Sequence, residues 1–254
     1  MTIFEAIILG IIQGLTEFLP ISSSGHLVIG QKMLGISVAG NVFEIVVHLG
    51  TLVSVLIVFW NDIWQLLTSL KSVSTKKYIL AITIGTLPAV LVGFILRDVI
   101  TEAFESIGVV AITLMITGII LFTTKFIKTK VRDISLGRGL LIGIAQAMAI
   151  VPGISRSGMT ISLGMHLGIA PDKAAKFSFL LGIPAITGAG LLTGLDLLEL
   201  SEPIFPWSVL FFGFFSSLIV GWISLKWLLG LIKLGKFHWF GIYCIIIGLI
   251  SWLV

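Results

Sequence analysis

Charged residues are scarce in this chain. Asp, Glu, Lys and Arg make up 11% of its 254 residues, whereas 57% of the residues are hydrophobic and the mean hydropathy is +1.16. Soluble globular domains carry about 25% charged residues. The composition therefore excludes a water-soluble globular protein and predicts an integral membrane protein.

Disulfide bonds and a basic N-terminal segment are also lacking. Cys244 is the single cysteine, so the fold owes nothing to an internal disulfide. The first ten residues contain no Lys or Arg and include Glu5, whereas a secretory signal peptide begins with a positively charged region. We therefore expect no cleaved signal peptide, and the apolar start is predicted to belong to the fold.

Long apolar runs occur six times. A helix needs roughly 17 to 25 apolar residues to cross ~30 Å of hydrocarbon. Two further runs, 7–19 and 140–151, are shorter, stop at Pro20 and Pro152, and are each followed by a Ser/Gly break and a second short run. Such lengths are typical of re-entrant segments, so we predict two helical hairpins that dip into the membrane. The predicted spans are 41–60, 78–96, 107–124, 174–195, 207–229 and 238–254.

The basic residues predict an orientation. All but Lys32, Arg97 and Arg156 of the 16 Lys and Arg fall in connections that share one side of the predicted topology. The positive-inside rule assigns this side to the cytoplasm, so both termini of this plasma-membrane protein are predicted to be extracytoplasmic. Lipid headgroups are sufficient partners for such loops, and no nucleic-acid partner is predicted. The acidic residues assigned to the opposite side are Asp98, Glu102, Glu105, Asp196, Glu199 and Glu202.

An internal repeat organises the chain. Residues 9–36 align without gaps with 142–169 at an offset of 133, and weaker echoes pair Gly85 and Gly93 with Gly213 and Gly221. Each repeat then contains one hairpin and three spans, and because three is odd the second repeat has inverted topology. We predict one all-α domain, 1–254, made of two inverted repeats (about 1–124 and 139–254) joined by a basic cytoplasmic loop, 125–138. The residues paired at the offset of 133 include Gly10 and Gly143, Gln13 and Gln146, Ser22 and Ser155, Ser24 and Ser157, Gly25 and Gly158, and Gly35 and Gly168.

Polar residues of the two hairpins are predicted to meet near mid-membrane. "SSSG" and "SRSG" each open a helix after a proline break, so free backbone N–H groups, hydroxyl groups and positive dipole ends favour an anion. Arg156 can grip phosphate oxygens in bidentate fashion, which predicts a phosphate or diphosphate site. Inserting Glu17 and Arg156 costs ~2.5 to 3.5 kcal/mol each. A structural ion pair between them is the alternative explanation.

The first hairpin also contains the groups for nucleophilic catalysis. On a helix, Ser22 and Ser23 lie four and three residues before His26, so either hydroxyl can reach the imidazole. Glu17 can orient the histidine or hold a divalent cation, and Arg156 can stabilise charge on a transferred phosphoryl group. A hydrogen-bonded interior histidine is the alternative for His26.

Two stretches carry a family resemblance. "QGLTEFLPISSSGH" (13–26) and "PGISRSG" (152–158) resemble the signatures of the undecaprenyl-pyrophosphate phosphatase family of the bacitracin-resistance type. The resemblance implies a membrane phosphatase that removes the terminal phosphate of a polyprenyl diphosphate and so recycles the carrier lipid for cell-wall synthesis. It implies Glu17 as the essential acid, Ser23 as the nucleophile, His26 as its partner and Arg156 as the diphosphate clamp. The implied substrate-binding residues are Gln13, Ser22, Ser24, Gly25, Ser155, Ser157, Gly158 and Thr160.

The cofactor and partners also follow from the resemblance. It implies a divalent cation, Mg²⁺ or Ca²⁺, with Glu17 and Glu44 as candidate ligands, and a homodimer is possible. Gln13 departs from the commonest family form, which has a glutamate, so Glu17 is the only acid of this element. Whether serine or histidine accepts the phosphoryl group stays open. Because broken helices in inverted repeats are also typical of secondary transporters, a flippase of the lipid carrier is the alternative function, with a non-catalytic lipid-binding scaffold as a third.

Overall fold

A computed structural model describes residues 1–36, 42–96, 99, 102–103, 106–127, 131–198 and 205–253. These residues form an all-helical protein in which no strand is found. Several charges used for the orientation lie outside the described residues, namely Asp98, Glu105, Lys128, Lys130, Glu199 and Glu202. The helices are α1 (Ile3–Phe18), α2 (Ser23–Met33), α3 (Val42–Val58), α4 (Trp60–Thr68), α5 (Val73–Ile95), α6 (Ile107–Thr123), α7 (Leu136–Met148), α8 (Arg156–His166), α9 (Pro171–Leu198), α10 (Trp207–Lys233) and α11 (Trp239–Trp252), with a 3-10 turn at Thr124–Phe126.

In the described part of the chain, four helices are long and apolar enough to cross a membrane: α5, α6 with its 3-10 turn, α9 and α10. The predicted span 41–60 ends at Val58, and α4 continues from it at an angle of 68°, so this bent pair is a fifth candidate. The predicted span 238–254 is the 14-residue α11. At 1.5 Å per residue such a helix measures ~21 Å, which is short of the hydrocarbon thickness. The arrangement of six spans is therefore not confirmed.

Both predicted helix breaks are confirmed. α1 ends at Phe18, two residues before Pro20, and α2 begins at Ser23. Ser22 occupies the left-handed region (φ 67°), and its hydroxyl accepts a hydrogen bond from Gly25 N (3.3 Å), which caps α2. In the second hairpin Ser155 Oγ accepts from Gly158 N (3.1 Å) and caps α8 in the same way. The bounds of α2 and α8 differ by the 133-residue offset of the sequence repeat.

Glycines bring the helices of the two halves into close contact. α1 packs on α10 and α7 packs on α5. At these crossings Gly10 lies against the backbone of Gly213, and Gly143 lies against the backbone of Gly85, so a Cβ atom at either Gly10 or Gly143 would overlap the facing helix. Small residues that allow such close approach are typical of helix pairs in membranes.

Large apolar side chains cover the outside of the bundle. Phe94, Ile95, Trp207 and Leu253 are among many that are more than half exposed. Acyl chains are the solvent that suits such a surface, and together with the candidate spans it identifies a multi-pass membrane protein. Inside the bundle, Phe18 at the end of α1 packs edge-on against Phe179 of α9 (5.7 Å between ring centroids). This contact fixes the first hairpin turn against α9.

Candidate active site

Glu17 is the centre of the polar cluster. It lies in the last turn of α1, and its side chain is only 6% exposed. Its Oε1 accepts a hydrogen bond from Arg156 Nη2 (2.5 Å), and its Oε2 accepts from Ser23 Oγ (2.6 Å) and Gln13 Nε2 (3.0 Å). The structure thus joins both hairpins at one carboxylate, as the sequence predicts.

Arg156 is the first residue of α8, and its guanidinium lies across the backbone of α9. Gly182 makes room for it, because a Cβ atom there would overlap Nη1. Nη1 is buried, and no hydrogen-bond partner for it exists among the residues that the structure describes. An unpaired buried donor is costly. This nitrogen is therefore available to an anion, while Nη2 is occupied by Glu17.

His26 does not contact a serine hydroxyl. Its Nδ1 lies 2.8 Å from the backbone oxygen of Ser22, and its Nε2 lies 2.9 Å from the hydroxyl of Tyr243 on α11. Ser23 donates to Glu17 instead, and Ser22 Oγ is paired with Ser24 Oγ (3.2 Å). The prediction that a serine hydroxyl pairs with the His26 imidazole is therefore wrong. The four-residue spacing brings the ring to the preceding carbonyl rather than to the hydroxyl.

The hydroxyls of the second hairpin hold the two turns together. Ser157 Oγ donates to the backbone oxygen of Phe18 (3.0 Å), and Thr160 Oγ1 donates to that of Arg156 (2.7 Å) and lies 2.5 Å from Ser178 Oγ. Ser155 Oγ is within 3.3 Å of Ser157 Oγ and serves as the cap. These buried groups already have partners within the protein, so their first role is to position Arg156.

Two predicted glycines lie where the hairpin turns meet. A Cβ atom at Gly25 would come within 3.3 Å of Gly153 Cα, and one at Gly158 would come within 3.3 Å of Pro20 Cβ. Each glycine therefore lies at the turn of the opposite hairpin. Substitution at either position would push the two turns apart.

His48 extends the cluster on α3. Its Nε2 lies 3.5 Å from Glu17 Oε2, and its Nδ1 lies 2.7 Å from the backbone oxygen of Glu44. Glu44 Oε1 accepts from Gln31 Nε2 (3.1 Å). The sequence indicates Glu44 and His48 only through their four-residue spacing. Nothing in it indicates that His48 faces Glu17, or that Tyr243 and Gly182 belong to the site.

Among the residues that the structure describes, no metal site held by protein side chains alone is formed. Across the described ranges no group of three His, Cys, Asp or Glu side chains is placed to hold a metal ion. Both oxygens of Glu17 are engaged by Arg156, Ser23 and Gln13. Glu44 keeps one carboxylate oxygen for which no protein partner is found in the described part of the chain. Mg²⁺ typically uses one or two carboxylates together with substrate phosphates and water.

Fold and site together define a multi-pass membrane protein with a buried Glu–Ser–Arg centre between two helical hairpins. Residues 6–250 match the family model described as Bacitracin resistance protein BacA, and the chain belongs to this family. The predicted family is confirmed.

Curated relatives extend over nearly the whole chain. The chain is 38% identical over 253 residues to the undecaprenyl-diphosphatase of Halothermothrix orenii, covering 98% of this chain and 96% of the relative. It is 41% identical to the protein of the same name from Korarchaeum cryptofilum, covering 98% of each chain. It is 39% identical to that of Methanosphaera stadtmanae, covering 99% of this chain and 97% of the relative. The similarity thus includes both hairpins.

Proposed function

We propose that this protein hydrolyses undecaprenyl diphosphate to the monophosphate and inorganic phosphate, which recycles the lipid carrier for cell-wall synthesis. Its family and the names of its relatives support this reaction. One observation carries the site assignment. The Ser23 hydroxyl donates to a buried carboxylate, and the other oxygen of that carboxylate is bound to the Arg156 guanidinium. A nucleophile, its base and a phosphate-binding cation are thus contiguous.

In the first step Ser23 Oγ attacks the terminal phosphorus, and its proton passes to Glu17 Oε2, 2.6 Å away. The bond from that phosphorus to the bridging oxygen breaks, and the lipid monophosphate leaves with the electron pair and accepts a proton from another group. Arg156 supports the charge on the equatorial oxygens, with Nη1 as the unpaired donor.

In the second step a water molecule attacks the phosphoserine. The bond between Ser23 Oγ and phosphorus breaks, Glu17 returns its proton to Ser23, and inorganic phosphate leaves. The proton that the water releases restores the group that protonated the lipid phosphate. We assign to His26 the role of the acid that protonates the lipid phosphate, because Ser23 already has Glu17 as its base.

The proposed architecture has two re-entrant hairpins within inverted repeats. The matching bounds of α2 and α8 and the equivalent glycine crossings of α1 on α10 and α7 on α5 support it. On this arrangement both termini and the opening of the site are extracytoplasmic. The diphosphate enters the polar break while the prenyl chain stays among the acyl chains.

A divalent cation is part of the proposal through its substrate. A diphosphate binds Mg²⁺ through its own oxygens. Glu44 lies one helical turn before His48, and no partner for its Oε2 is found among the described residues. Such a cation would neutralise charge on the diphosphate. Phosphate release with and without a chelator, in the native protein and in Glu44→Gln, tests this assignment.

Transport of the lipid carrier is the second candidate, because hairpins in inverted repeats are typical of secondary transporters. A transporter needs a membrane that separates two compartments, and it needs no nucleophile. Purified protein in detergent has no sides, so release of phosphate from undecaprenyl diphosphate there supports the hydrolase. No release, together with transfer of the lipid across reconstituted vesicles, would favour the transporter.

The decisive variants are Ser23→Ala and Arg156→Lys. We expect each to lose most of kcat. Ser23→Ala removes the attacking hydroxyl, and a lysine at position 156 lacks the planar fork that holds Glu17 and phosphate together. Ser74→Ala is a matched control, since this exposed serine of α5 bonds only to Ser72 (2.8 Å). Near-normal turnover of Ser23→Ala would remove the nucleophile from the proposal.

A further inference from the structure

Tyr243 contacts His26 from a distant part of the chain. Its hydroxyl lies 2.9 Å from His26 Nε2, and the two rings are nearly parallel, 11° apart, with centroids 5.8 Å from each other. The next residue, Cys244, is buried with Sγ 3.5 Å from the backbone oxygen of Pro20. α11 is therefore anchored at the first hairpin turn, which fixes Tyr243 beside the imidazole.

The other ring nitrogen of His26 is already engaged. Nδ1 faces the backbone oxygen of Ser22, which can only accept, so Nδ1 carries a proton. Nε2 is thus the nitrogen that can gain and lose a proton during turnover. The group facing it must accept from Nε2–H when the ring is charged and donate to Nε2 when the ring is neutral. A phenol does both, whereas a carbonyl or an ammonium does only one.

We infer that Tyr243 is a positioning residue for the reaction, one whose hydroxyl holds the His26 ring beside the substrate site by pairing with Nε2 in both protonation states of the ring. The inference rests on the proposed function, because it assigns to Nε2 the proton that the departing lipid monophosphate receives. Charged His26 transfers its Nε2 proton from the contact with Tyr243 to the oxygen of the departing lipid monophosphate and becomes neutral, and the Tyr243 hydroxyl then turns and donates to the free Nε2. The water that attacks the phosphoserine later returns a proton to Nε2.

The position of Tyr243 fits this role. Its side chain is 40% exposed, so the hydroxyl lies at the rim of the site rather than in the core. α2 contacts α1 and α6. α1 carries Glu5 and Glu17, of which Glu17 is bound to Arg156, and the sequence of α6 contains no charged residue. Within the described residues, the Tyr243 hydroxyl is therefore the side-chain group that pairs with Nε2.

The test is Tyr243→Phe, which keeps the ring and removes the hydroxyl. We expect kcat for phosphate release to fall roughly tenfold with KM within twofold, because general acid catalysis supplies about 10²- to 10⁴-fold and only the alignment of the acid is impaired. The matched control is Tyr78→Phe at the other tyrosine of the chain. Its buried hydroxyl has no hydrogen-bond partner in the described structure, so we expect unchanged kinetics.

A double variant separates this role from a general structural one. If Tyr243 acts through His26, then Tyr243→Phe costs nothing further in a His26→Gln background. Full additivity, an unchanged kcat in Tyr243→Phe, or a loss confined to KM would each overturn the inference.

A spectroscopic measurement does not depend on turnover. In protein labelled with ¹⁵N-histidine, the unprotonated nitrogen of His26, assigned by comparison with His26→Gln, should shift in Tyr243→Phe but not in Tyr78→Phe. No shift would refute the contact. If the native protein releases no phosphate but the shift is seen, the proposed function fails while the contact stands.

Discussion

Gly182→Ala is the most informative single substitution in this protein. Gly182 has no side chain, and the Arg156 guanidinium occupies the space that a Cβ atom would fill. A methyl group there would overlap Nη1, so the arginine must move while the charges, the hydrogen-bonding groups and the backbone of α9 stay as they are. The variant displaces one catalytic group without deleting it.

The expected loss can be worked out from this geometry. The overlap involves the end of a flexible side chain, so the fold yields there at little cost. Alanine also stabilises a helix interior by ~1 kcal/mol over glycine. The guanidinium, however, must shift by about 1 Å or more, which disturbs its hydrogen bond to Glu17 Oε1, and such a displacement costs on the order of 10²-fold in rate. We therefore expect kcat/KM to fall roughly a hundredfold, or ~2.7 kcal/mol, while thermal stability is unchanged or slightly raised.

Gly188→Ala provides the control on the same helix. Apart from the adjoining backbone of α9, no atom of the described residues lies within 4 Å of the Cβ position at Gly188, so this variant adds the same methyl group in open space. Initial rates of phosphate release and unfolding temperatures in detergent are the measurements. Activity of Gly182→Ala equal to that of Gly188→Ala would show that the place of Arg156 does not matter, which refutes the clamp. A joint loss of activity and stability in Gly182→Ala would indicate a packing effect instead.

Three further predictions concern the carboxylate, its histidine and the topology. Glu17→Gln should abolish phosphate release. Gln13→Glu should retain it with a stronger requirement for a divalent cation, because two facing carboxylates repel. Full activity of both variants with a chelator present would remove Glu17 from the mechanism. His48→Gln should keep most of the activity, since an amide keeps a polar group facing Glu17, whereas His48→Leu should lose roughly tenfold, about the worth of one polar contact to a charged group. Equal rates for the two would argue against this contact. In a cysteine-free background, a membrane-impermeant thiol reagent applied from outside should label Glu102→Cys but not Val131→Cys, and the reverse pattern would invert the proposed orientation.

The parts of the fold and site that depend on local signals could be predicted from the sequence. Pro20 and Pro152 lack an N–H group and end their helices, and Ser22 and Ser155 cap the helices that follow. The repeat then brings Glu17 and Arg156 together without any knowledge of the intervening helices. Hydrophobicity was a weaker guide to span number, because an apolar run such as 238–254 does not reveal where its helix begins and ends.

The remaining site residues depend on tertiary packing, which leaves no trace in one sequence. Gly182 is one of 28 glycines, and only the path of Arg156 gives it meaning. Tyr243 and His26 are separated by 217 residues, and the anchoring of α11 at Pro20 decides their contact. The spacing of Ser23 and His26 favoured a direct pair, but a buried carboxylate was the stronger acceptor for the hydroxyl.

The asymmetry of the repeat explains how a symmetrical scaffold forms a reaction centre. At the offset of 133, Glu17 corresponds to Ile150, Ser23 to Arg156 and His26 to Met159. Equal hairpins would bring arginine to arginine or serine to serine, and two like charges at membrane depth would each lack the partner that offsets a cost of ~2.5 to 3.5 kcal/mol. In the proposed mechanism one hairpin supplies the acid and the nucleophile and the other supplies the cation, so the contact that joins the halves would also activate Ser23. On that proposal the structural ion pair and the diphosphate clamp are one interaction, and binding of a diphosphate at Arg156 would change the charge environment of the Glu17 carboxylate to which Ser23 donates.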